Sequence, residues 1–136
     1  PPSTLDLSSA ASDVYKRQHI AMSHMVICRS GASTIAELAI IGRPAIMVPL
    51  PHAIDNDQLK NAQSFSTAGA GWLMQQRDTT PDEMAAFITR MRYQPGELTQ
   101  AADAAKAFAR PDAADLLANL VQKHAARNAV DENVEE

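Results

Sequence analysis

Cysteine is almost absent from this sequence of 136 residues, which contains only Cys28. A single cysteine excludes an intramolecular disulfide framework and any metal site that needs several cysteine ligands. Long apolar runs are absent too, since no stretch approaches the roughly 20 apolar residues with which a helix crosses a bilayer. Clusters of lysine and arginine are also missing, which argues against a nucleic acid partner.

The excess of acidic residues is confined to the C-terminus. The chain carries 12 basic and 16 acidic residues, for a net charge of −4. Four of the acidic residues lie within the last six positions, at Asp131, Glu132, Glu135 and Glu136. The rest of the chain is therefore balanced in charge, and residues 128–136 are predicted to form an acidic, frayed tail.

The N-terminal residues differ in pattern from the rest of the chain. Residues 1–19 are rich in small polar side chains and lack a hydrophobic period, so they are predicted to be unstructured. The stretch SAASDVYKRQ also resembles peptides translated from sequencing-adaptor DNA, which predicts a non-native lead on a truncated chain. The length that remains suits one domain, over residues 20–127.

Within that domain, two short apolar runs flank a helical segment. Residues 25–28 and 45–49 are typical of strands buried on both faces. Between them, Ser33 is placed to cap a helix that Gly42 ends. Two parallel strands joined by a helix form a βαβ unit.

The remaining segments continue the alternation of helices and strands. A third strand is predicted over 72–74. A further helix starts at a capping box formed by Thr80 and Glu83, with Pro81 in its first position. Other helices are predicted over 55–68, 97–109 and 112–127. The fold class is therefore α/β, a parallel sheet flanked by helices.

A polar segment, 29–37, follows the first strand and includes the start of a helix. In open parallel sheets, ligands bind beyond the carboxyl ends of the strands. The turn at Gly31 lets a ligand approach the backbone, and the helix dipole favours an anion such as a diphosphate there. Glu37, one helical turn further, can accept hydrogen bonds from a ribose diol. A plain turn with a surface glutamate explains the same pattern. The N–H groups that would meet the anion are those of Ala32, Ser33 and Thr34.

A second polar segment, 52–61, follows the second strand. Gln58 and Asn61 lie one helical turn apart on the same face. Each amide offers a donor and an acceptor, which suits sugar hydroxyls. The alternative is a solvated helix start that is capped by Asp55 or Asn56.

No residue pattern indicates a catalytic or metal site. His52 has no acidic partner nearby in the sequence, so it is predicted to hold loop backbone rather than to act as a base. Cys28 ends a buried strand and lacks the surroundings of an activated thiolate. No histidine belongs to a set with metal-ligand spacing.

Three segments, taken together, resemble a known family. They read MVICRSGASTIAELA from Met25, GRPAIMVPLPH from Gly42 and DQLKNA from Asp57. They are similar to the C-terminal domain of the MurG family, within glycosyltransferase family 28, over about residues 20–127. The resemblance implies a Rossmann-like half of a two-domain GT-B fold, truncated at its N-terminus.

The resemblance also implies roles for residues of both polar segments. The domain would bind a UDP-GlcNAc donor, with Glu37 on the ribose hydroxyls and the Gly31 turn at the diphosphate or sugar. Gln58 and Asn61 would contact GlcNAc hydroxyls, with Asp57 beside them. It implies no catalytic residue in this chain, no metal and no cofactor. The substrate-binding residues that it implies are Ser30, Gly31, Ala32, Ser33, Thr34, Glu37, Asp57, Gln58 and Asn61.

The activity that the resemblance implies is transfer of GlcNAc to the C4 hydroxyl of lipid I, with inversion, which forms lipid II in peptidoglycan synthesis. The acceptor contacts, and peripheral contact with the cytoplasmic face of the bacterial inner membrane, would belong to an N-terminal domain outside this sequence. The chain alone is therefore expected to be inactive. Two alternatives stay open: a related GT-B enzyme with another lipid acceptor, and a stand-alone donor-binding subunit that needs a membrane partner chain.

Overall fold

The computed structural model describes residues 4–52 and 54–131, in which short strands alternate with helices. The strands are β1 (Val26–Cys28), β2 (Ala45–Met47) and β3 (Gly71–Leu73). The helices are α1 (Thr4–Met22), α2 (Ala32–Ile41), α3 (Asp57–Thr67), α4 (Pro81–Arg92), α5 (Pro95–Phe108) and α6 (Ala113–Asp131), and a 3₁₀ turn (Ile54–Asn56) precedes α3. This order confirms the predicted α/β fold class.

The three strands form one parallel sheet in the order β1–β2–β3. The register places Ile27, Ile46 and Trp72 side by side across it. Because parallel strands end at the same side of a sheet, the turns that follow β1, β2 and β3 all meet at one side. This side is called the carboxyl edge below.

The main core lies between the sheet and helices α2, α3 and α5. Phe65 of α3 is fully buried and meets Phe108 of α5 edge to face, with ring centroids 5.3 Å apart. Burial of these apolar side chains stabilises the sheet and fixes its carboxyl edge. The buried members of the core are Ile20, Ile35, Leu38, Ala39, Ala45, Met47, Ala62, Phe65, Ala70 and Ala105.

Helix α4 covers the opposite face of the sheet at β3. Successive residues of a strand face opposite sides, so Ile46 lies on this second face while Ala45 and Met47 enter the main core. Trp72 contacts Phe87 of α4, with ring centroids 5.2 Å apart. At the other side of the same face, Ile27 of β1 is 50% exposed.

Two helix ends form as the sequence predicts. Gly42 ends α2 in the left-handed conformation, with φ of 73°. At the start of α4, the Thr80 hydroxyl accepts from the Glu83 N–H over 3.2 Å, and the Glu83 carboxylate accepts from the Thr80 N–H over 2.7 Å. The Thr80 hydroxyl also donates to the Glu83 carboxylate over 2.9 Å, and the two hydrogen bonds donated by the Thr80 N–H and hydroxyl hold the pKa of that carboxyl below its ordinary value of 4.5. The capping box is confirmed.

Helix α1 includes residues 4–19, which differs from the prediction that residues 1–19 are unstructured; residues 1–3 lie outside the described residues. It packs on α2, with Ile20 only 5% exposed in the main core. Arg43 donates to the carbonyl of Ala21 over 2.8 Å. These contacts come from residues distant in sequence, so the absence of a local hydrophobic period did not reveal them. At the other end, α6 continues through Asp131 into the predicted tail, and residues 132–136 lie outside the described residues.

Three helix starts also differ from their predicted positions. Helix α2 begins at Ala32 with Gly31 as its N-cap residue, so Ser33 lies inside the first turn and does not cap it. Asn56 occupies the N-cap position of α3, but its side chain makes no capping hydrogen bond. Helix α5 starts at Pro95 rather than at 97, because proline is well accommodated in the first turn of a helix.

Candidate functional site

The two polar segments meet at the carboxyl edge, where Ser30 fastens them together. The Ser30 hydroxyl donates to the carbonyl of Gln58 over 2.7 Å, and the Ser30 carbonyl accepts from Nδ2 of Asn61 over 3.1 Å. Ser30 is 0% exposed, and both its hydroxyl and its carbonyl already have a hydrogen-bond partner in α3, so neither group is left unpaired for a ligand. Its position therefore differs from that of a substrate contact, and Ser30 instead holds the start of α3 against the turn after β1.

The first turn of α2 presents free N–H groups at the carboxyl edge. Gly31 has φ of −64° and ψ of 149°, which any residue adopts, and no side chain of the described residues caps the helix with a hydrogen bond. A Cβ atom on Gly31 would meet nothing within 4 Å. The open space in front of this turn leaves the positive end of the helix dipole accessible to an anion. The groups concerned belong to Ala32, Ser33 and Thr34, the first three residues of α2.

Glu37 lies on the same side of α2 as Thr34. The Lys16 ammonium is 3.5 Å from both Oε1 of Glu37 and the Thr34 hydroxyl, a long and weak contact for either. The Glu37 side chain is only 20% exposed. Its second oxygen, Oε2, is buried and has no hydrogen-bond partner within the described part of the chain. Such an unpaired oxygen costs about 1–3 kcal/mol and is available to a hydroxyl donor.

The amides of Gln58 and Asn61 are each half occupied. Oε1 of Gln58 accepts from the Leu50 N–H over 2.9 Å, and Nδ2 of Asn61 donates to Ser30. Among the hydrogen bonds of the described residues, none uses Nε2 of Gln58 or Oδ1 of Asn61. The hydrogen bonds of Gln58 Oε1 and Asn61 Nδ2 set the orientation of each amide. Nε2 of Gln58 and Oδ1 of Asn61 are then left as one donor and one acceptor for a ligand. Asp57 is exposed in the first turn of α3, next to Gln58.

The loop between β2 and α3 is held in an uncommon conformation. His52, Asp55 and Asn56 have φ of 60°, 56° and 55°, in the left-handed region that residues other than glycine rarely adopt. Each such residue costs on the order of 1–3 kcal/mol and persists where its surroundings fix it. The loop borders a cavity of about 310 Å³, which His52 helps to line. The His52 ring takes part in none of the described hydrogen bonds, so the prediction that it holds loop backbone is not confirmed.

Arg29 provides the contact that sequence reasoning assigned to His52. Its Nη1 donates to the carbonyls of Val48 and Pro49 over 3.1 and 3.2 Å, and its Nη2 donates to Oε1 of Gln76 over 3.0 Å. One guanidinium thus joins the ends of all three strands. Position directly after β1 is the only sequence signal for this residue, and that signal says nothing about the direction of the side chain.

Other chemistry finds little support in the described residues. Burial raises the pKa of the Cys28 thiol to about 11, although the positive charge of Lys16 lowers it, so the thiol stays protonated at neutral pH. Within residues 4–52 and 54–131, no group of three or more histidine, cysteine and acidic side chains is placed to hold a metal ion. In the same ranges, no helix combines the length and apolar character that crossing a membrane requires.

Comparison with known families and proteins gives a consistent result. Residues 14–117 match the model of the glycosyltransferase family 28 C-terminal domain. The chain is 42% identical over 127 residues to the UDP-N-acetylglucosamine–N-acetylmuramyl-(pentapeptide) pyrophosphoryl-undecaprenol N-acetylglucosamine transferase of Rhizobium johnstonii, covering 93% of this chain and 33% of that protein. It is 50% identical over 108 residues to the protein of the same name from Methylobacterium radiotolerans, covering 79% of this chain and 29% of that one.

Solved structures agree with the sequence comparisons. The crystal structure of Acinetobacter baumannii MurG superposes with a TM-score of 0.68 at 36% identity, over 74% of this chain and 29% of that one. A glycotransferase of kitacinnamycin superposes with a TM-score of 0.53 at 20% identity, which supports the fold alone. The chain spans about a third of the length of the curated relatives that it matches.

Proposed function

The chain belongs to glycosyltransferase family 28, as a C-terminal domain of the MurG type with a GT-B architecture, and from this premise we propose that it binds UDP-GlcNAc. The observation that carries the proposal is the buried, unpaired Oε2 of Glu37 on the same helix as the uncapped N–H groups at the carboxyl edge. A ribose diol and a diphosphate are covalently linked in UDP-sugars, and these two features would satisfy both groups at once.

The diphosphate would lie at the first turn of α2. Two properties support this placement: the open space beyond Gly31 and the lack of a side-chain cap on the helix. An anion there accepts hydrogen bonds from N–H groups that otherwise face water, and it lies at the positive end of the dipole. Ala32, Ser33 and Thr34 would supply these donors through their backbone.

The ribose would donate its hydroxyls to Glu37. A carboxylate accepts from two adjacent hydroxyls without a change in its own geometry, and Oε2 is unpaired in the absence of a ligand. The Lys16 contact at 3.5 Å is long enough to yield to a shorter charge-assisted hydrogen bond. Glu37 would therefore hold UDP and UDP-GlcNAc equally well.

The GlcNAc ring would face the start of α3. Nε2 of Gln58 would donate to one sugar hydroxyl and Oδ1 of Asn61 would accept from another, with Asp57 beside them. The hydrogen bonds from the Leu50 N–H to Gln58 and from Asn61 to the Ser30 carbonyl support this assignment, because they determine which atom of each amide is left for a ligand. Specificity for the sugar would then reside in α3, while affinity for UDP resides in α2.

The reaction that we propose for the complete enzyme is transfer of GlcNAc to the C4 hydroxyl of lipid I, with inversion at the anomeric carbon, which yields lipid II for peptidoglycan synthesis. This chain would supply the donor site. The acceptor site, the catalytic base and the peripheral contact with the cytoplasmic face of the inner membrane would lie in the two-thirds of the relatives' length that this chain does not span.

Titration of the chain with UDP-GlcNAc and with UDP, followed by amide NMR, tests the donor site. We expect the backbone N–H signals of Ala32, Ser33 and Thr34 to shift with both ligands. The side-chain amide signals of Gln58 and Asn61 should shift with UDP-GlcNAc alone. Uridine, which has the ribose but lacks the diphosphate, serves as the control and should leave the backbone N–H signals of Ala32, Ser33 and Thr34 in place. Absence of saturable shifts with either nucleotide would contradict the proposal.

A further inference from the structure

Arg29 connects three loops at the carboxyl edge. It belongs to none of the predicted site residues, and it lies at the end of β1 with its guanidinium extended across the ends of β2 and β3. Its acceptors are two backbone carbonyls, Val48 and Pro49, and the side chain of Gln76, at 3.0 to 3.2 Å. Five N–H donors in a rigid plane suit such a set of separate acceptors.

The Arg29 contact reaches the sugar side of the site through two residues. Leu50 directly follows Val48 and Pro49, whose carbonyls accept from Arg29, and the Leu50 N–H donates to Oε1 of Gln58 over 2.9 Å. The position of the Leu50 N–H therefore depends on where Arg29 holds the preceding carbonyls, and the orientation of the Gln58 amide depends on Leu50.

We propose that Arg29 is a positioning residue that determines sugar recognition by orienting Gln58. This inference rests on the proposed function, since it assumes that Nε2 of Gln58 meets the GlcNAc ring. Arg29 itself touches no ligand. Loss of its contacts frees the loop at residues 48–50, and the Gln58 amide then loses its fixed direction, while the UDP contacts of α2 stay in place.

The experiment compares affinities for UDP-GlcNAc and UDP in the full chain and in its Arg29→Met variant. We expect the ratio of the two affinities to fall about three- to tenfold, the effect of one hydrogen bond, with the affinity for UDP unchanged. In the same variant, the Leu50 N–H should exchange with solvent faster. Arg92→Met, which removes an exposed arginine of α4, is the matched control and should leave the ratio and the Leu50 signal as they are.

A double-mutant cycle separates positioning from general structural support. If Arg29 acts through Gln58, Arg29→Met combined with Gln58→Leu loses no more sugar selectivity than Gln58→Leu alone. Additive losses in the double variant overturn the proposal, and so does an equal loss of affinity for both ligands. Should Arg29→Met fail to fold, Arg29→Lys keeps the charge but cannot reach all three acceptors, and it should give an intermediate ratio.

Failure of the proposed function is distinguishable from failure of this inference. A wild-type chain that saturates with neither nucleotide contradicts the donor site. In that case, the exchange rate of the Leu50 N–H still tests whether Arg29 positions Leu50. If the Leu50 N–H exchanges at the same rate in Arg29→Met as in the wild type, Arg29 does not control the position of Leu50, and the inference fails regardless of the nucleotide affinities. A wild-type chain that binds both nucleotides, with a ratio that Arg29→Met leaves unaltered, overturns the positioning role alone.

Discussion

The starts of α2 and α4 solve the same physical problem in opposite ways. Both helices begin with N–H groups that have no acceptor within the helix. At α4, Thr80 and Glu83 satisfy these groups reciprocally through a capping box. At α2, Gly31 provides no side chain, and the groups stay open at the carboxyl edge.

The difference separates a helix start that its own residues satisfy from one whose N–H groups are left to another acceptor. A capped start is complete in itself and has little to gain from a ligand. An uncapped start that faces open space gains hydrogen bonds when an anion arrives. The two acidic residues differ in the same way, because the Glu83 carboxylate accepts from its own helix start, while Oε2 of Glu37 has no hydrogen-bond partner among residues 4–52 and 54–131.

The largest loss of nucleotide affinity is expected from substitution of Glu37, with Glu83 as its control. Glu37→Ala should weaken binding of UDP-GlcNAc and of UDP by about a hundredfold, because charge-assisted hydrogen bonds contribute about 1.5–3 kcal/mol each. Stability should not fall, because the variant removes a buried oxygen that has no hydrogen-bond partner among the described residues and loses only the long contact with Lys16. Isothermal titration calorimetry and urea unfolding measure the two quantities. Glu83→Ala is the matched control, with unchanged affinity and lower stability. Wild-type affinity in Glu37→Ala would rule out the ribose contact.

A carboxylate introduced at the start of α2 should convert it into a capped helix and block the anion. Gly31→Asp is sterically allowed, because a Cβ there meets nothing within 4 Å. We expect affinity for UDP to fall about tenfold to a hundredfold by charge repulsion and loss of donors, with stability unchanged or slightly raised. Gly96→Asp makes the same change in the first turn of α5, where a Cβ is equally unhindered. It should not alter binding, and equal losses in both variants would contradict an anion site at α2.

A smaller effect is expected on the sugar side. Asn61→Ala should lower affinity for UDP-GlcNAc about three- to tenfold, and affinity for UDP by less, because the lost acceptor serves the sugar. Competition between the two nucleotides in one NMR titration measures the ratio directly. Asn119→Ala, in the exposed part of α6, is the control. Equal losses for both nucleotides would mean that Asn61 only fastens Ser30 and makes no sugar contact.

The sequence predicted those features that local residue patterns determine. The strands after residue 25 and residue 45 follow from short apolar runs, and the box at Thr80 and Glu83 follows from a three-residue spacing. The proximity of the two polar segments follows from parallel strand order alone. Helix α1 was missed, because Ile20 joins the core through contacts that its own neighbours do not indicate.

Side-chain direction is what the sequence could not supply. Ser30 was expected to face a ligand, but its side chain points inward, because the carbonyl of Gln58 at the start of α3 accepts a hydrogen bond from its hydroxyl. Arg29 was not singled out, since its three acceptors come from loops after two other strands. Both outcomes depend on distances between segments that meet only in the folded chain. Position and side-chain chemistry suggested a ribose contact for Glu37 and a sugar contact for Gln58 but left a plain turn and a solvated helix start open, and the family resemblance is what favoured the donor-site hypothesis.

The smallest effect should appear when the capped helix start is acidified. The pKa of the Glu83 carboxyl lies below 4.5 in the folded chain because Thr80 donates to it. Such a group stabilises the fold above its unfolded pKa, and that contribution is lost as the pH falls through the folded value. Between about pH 5 and about pH 3, urea unfolding should therefore show a steeper loss of stability in the wild type than in Glu83→Gln or Thr80→Val, both of which lack the full box. Equal slopes in all three proteins would mean that the capping box adds no pH-dependent stability. The contrast between the capped start of α4 and the uncapped start of α2 would then depend on the binding measurements alone.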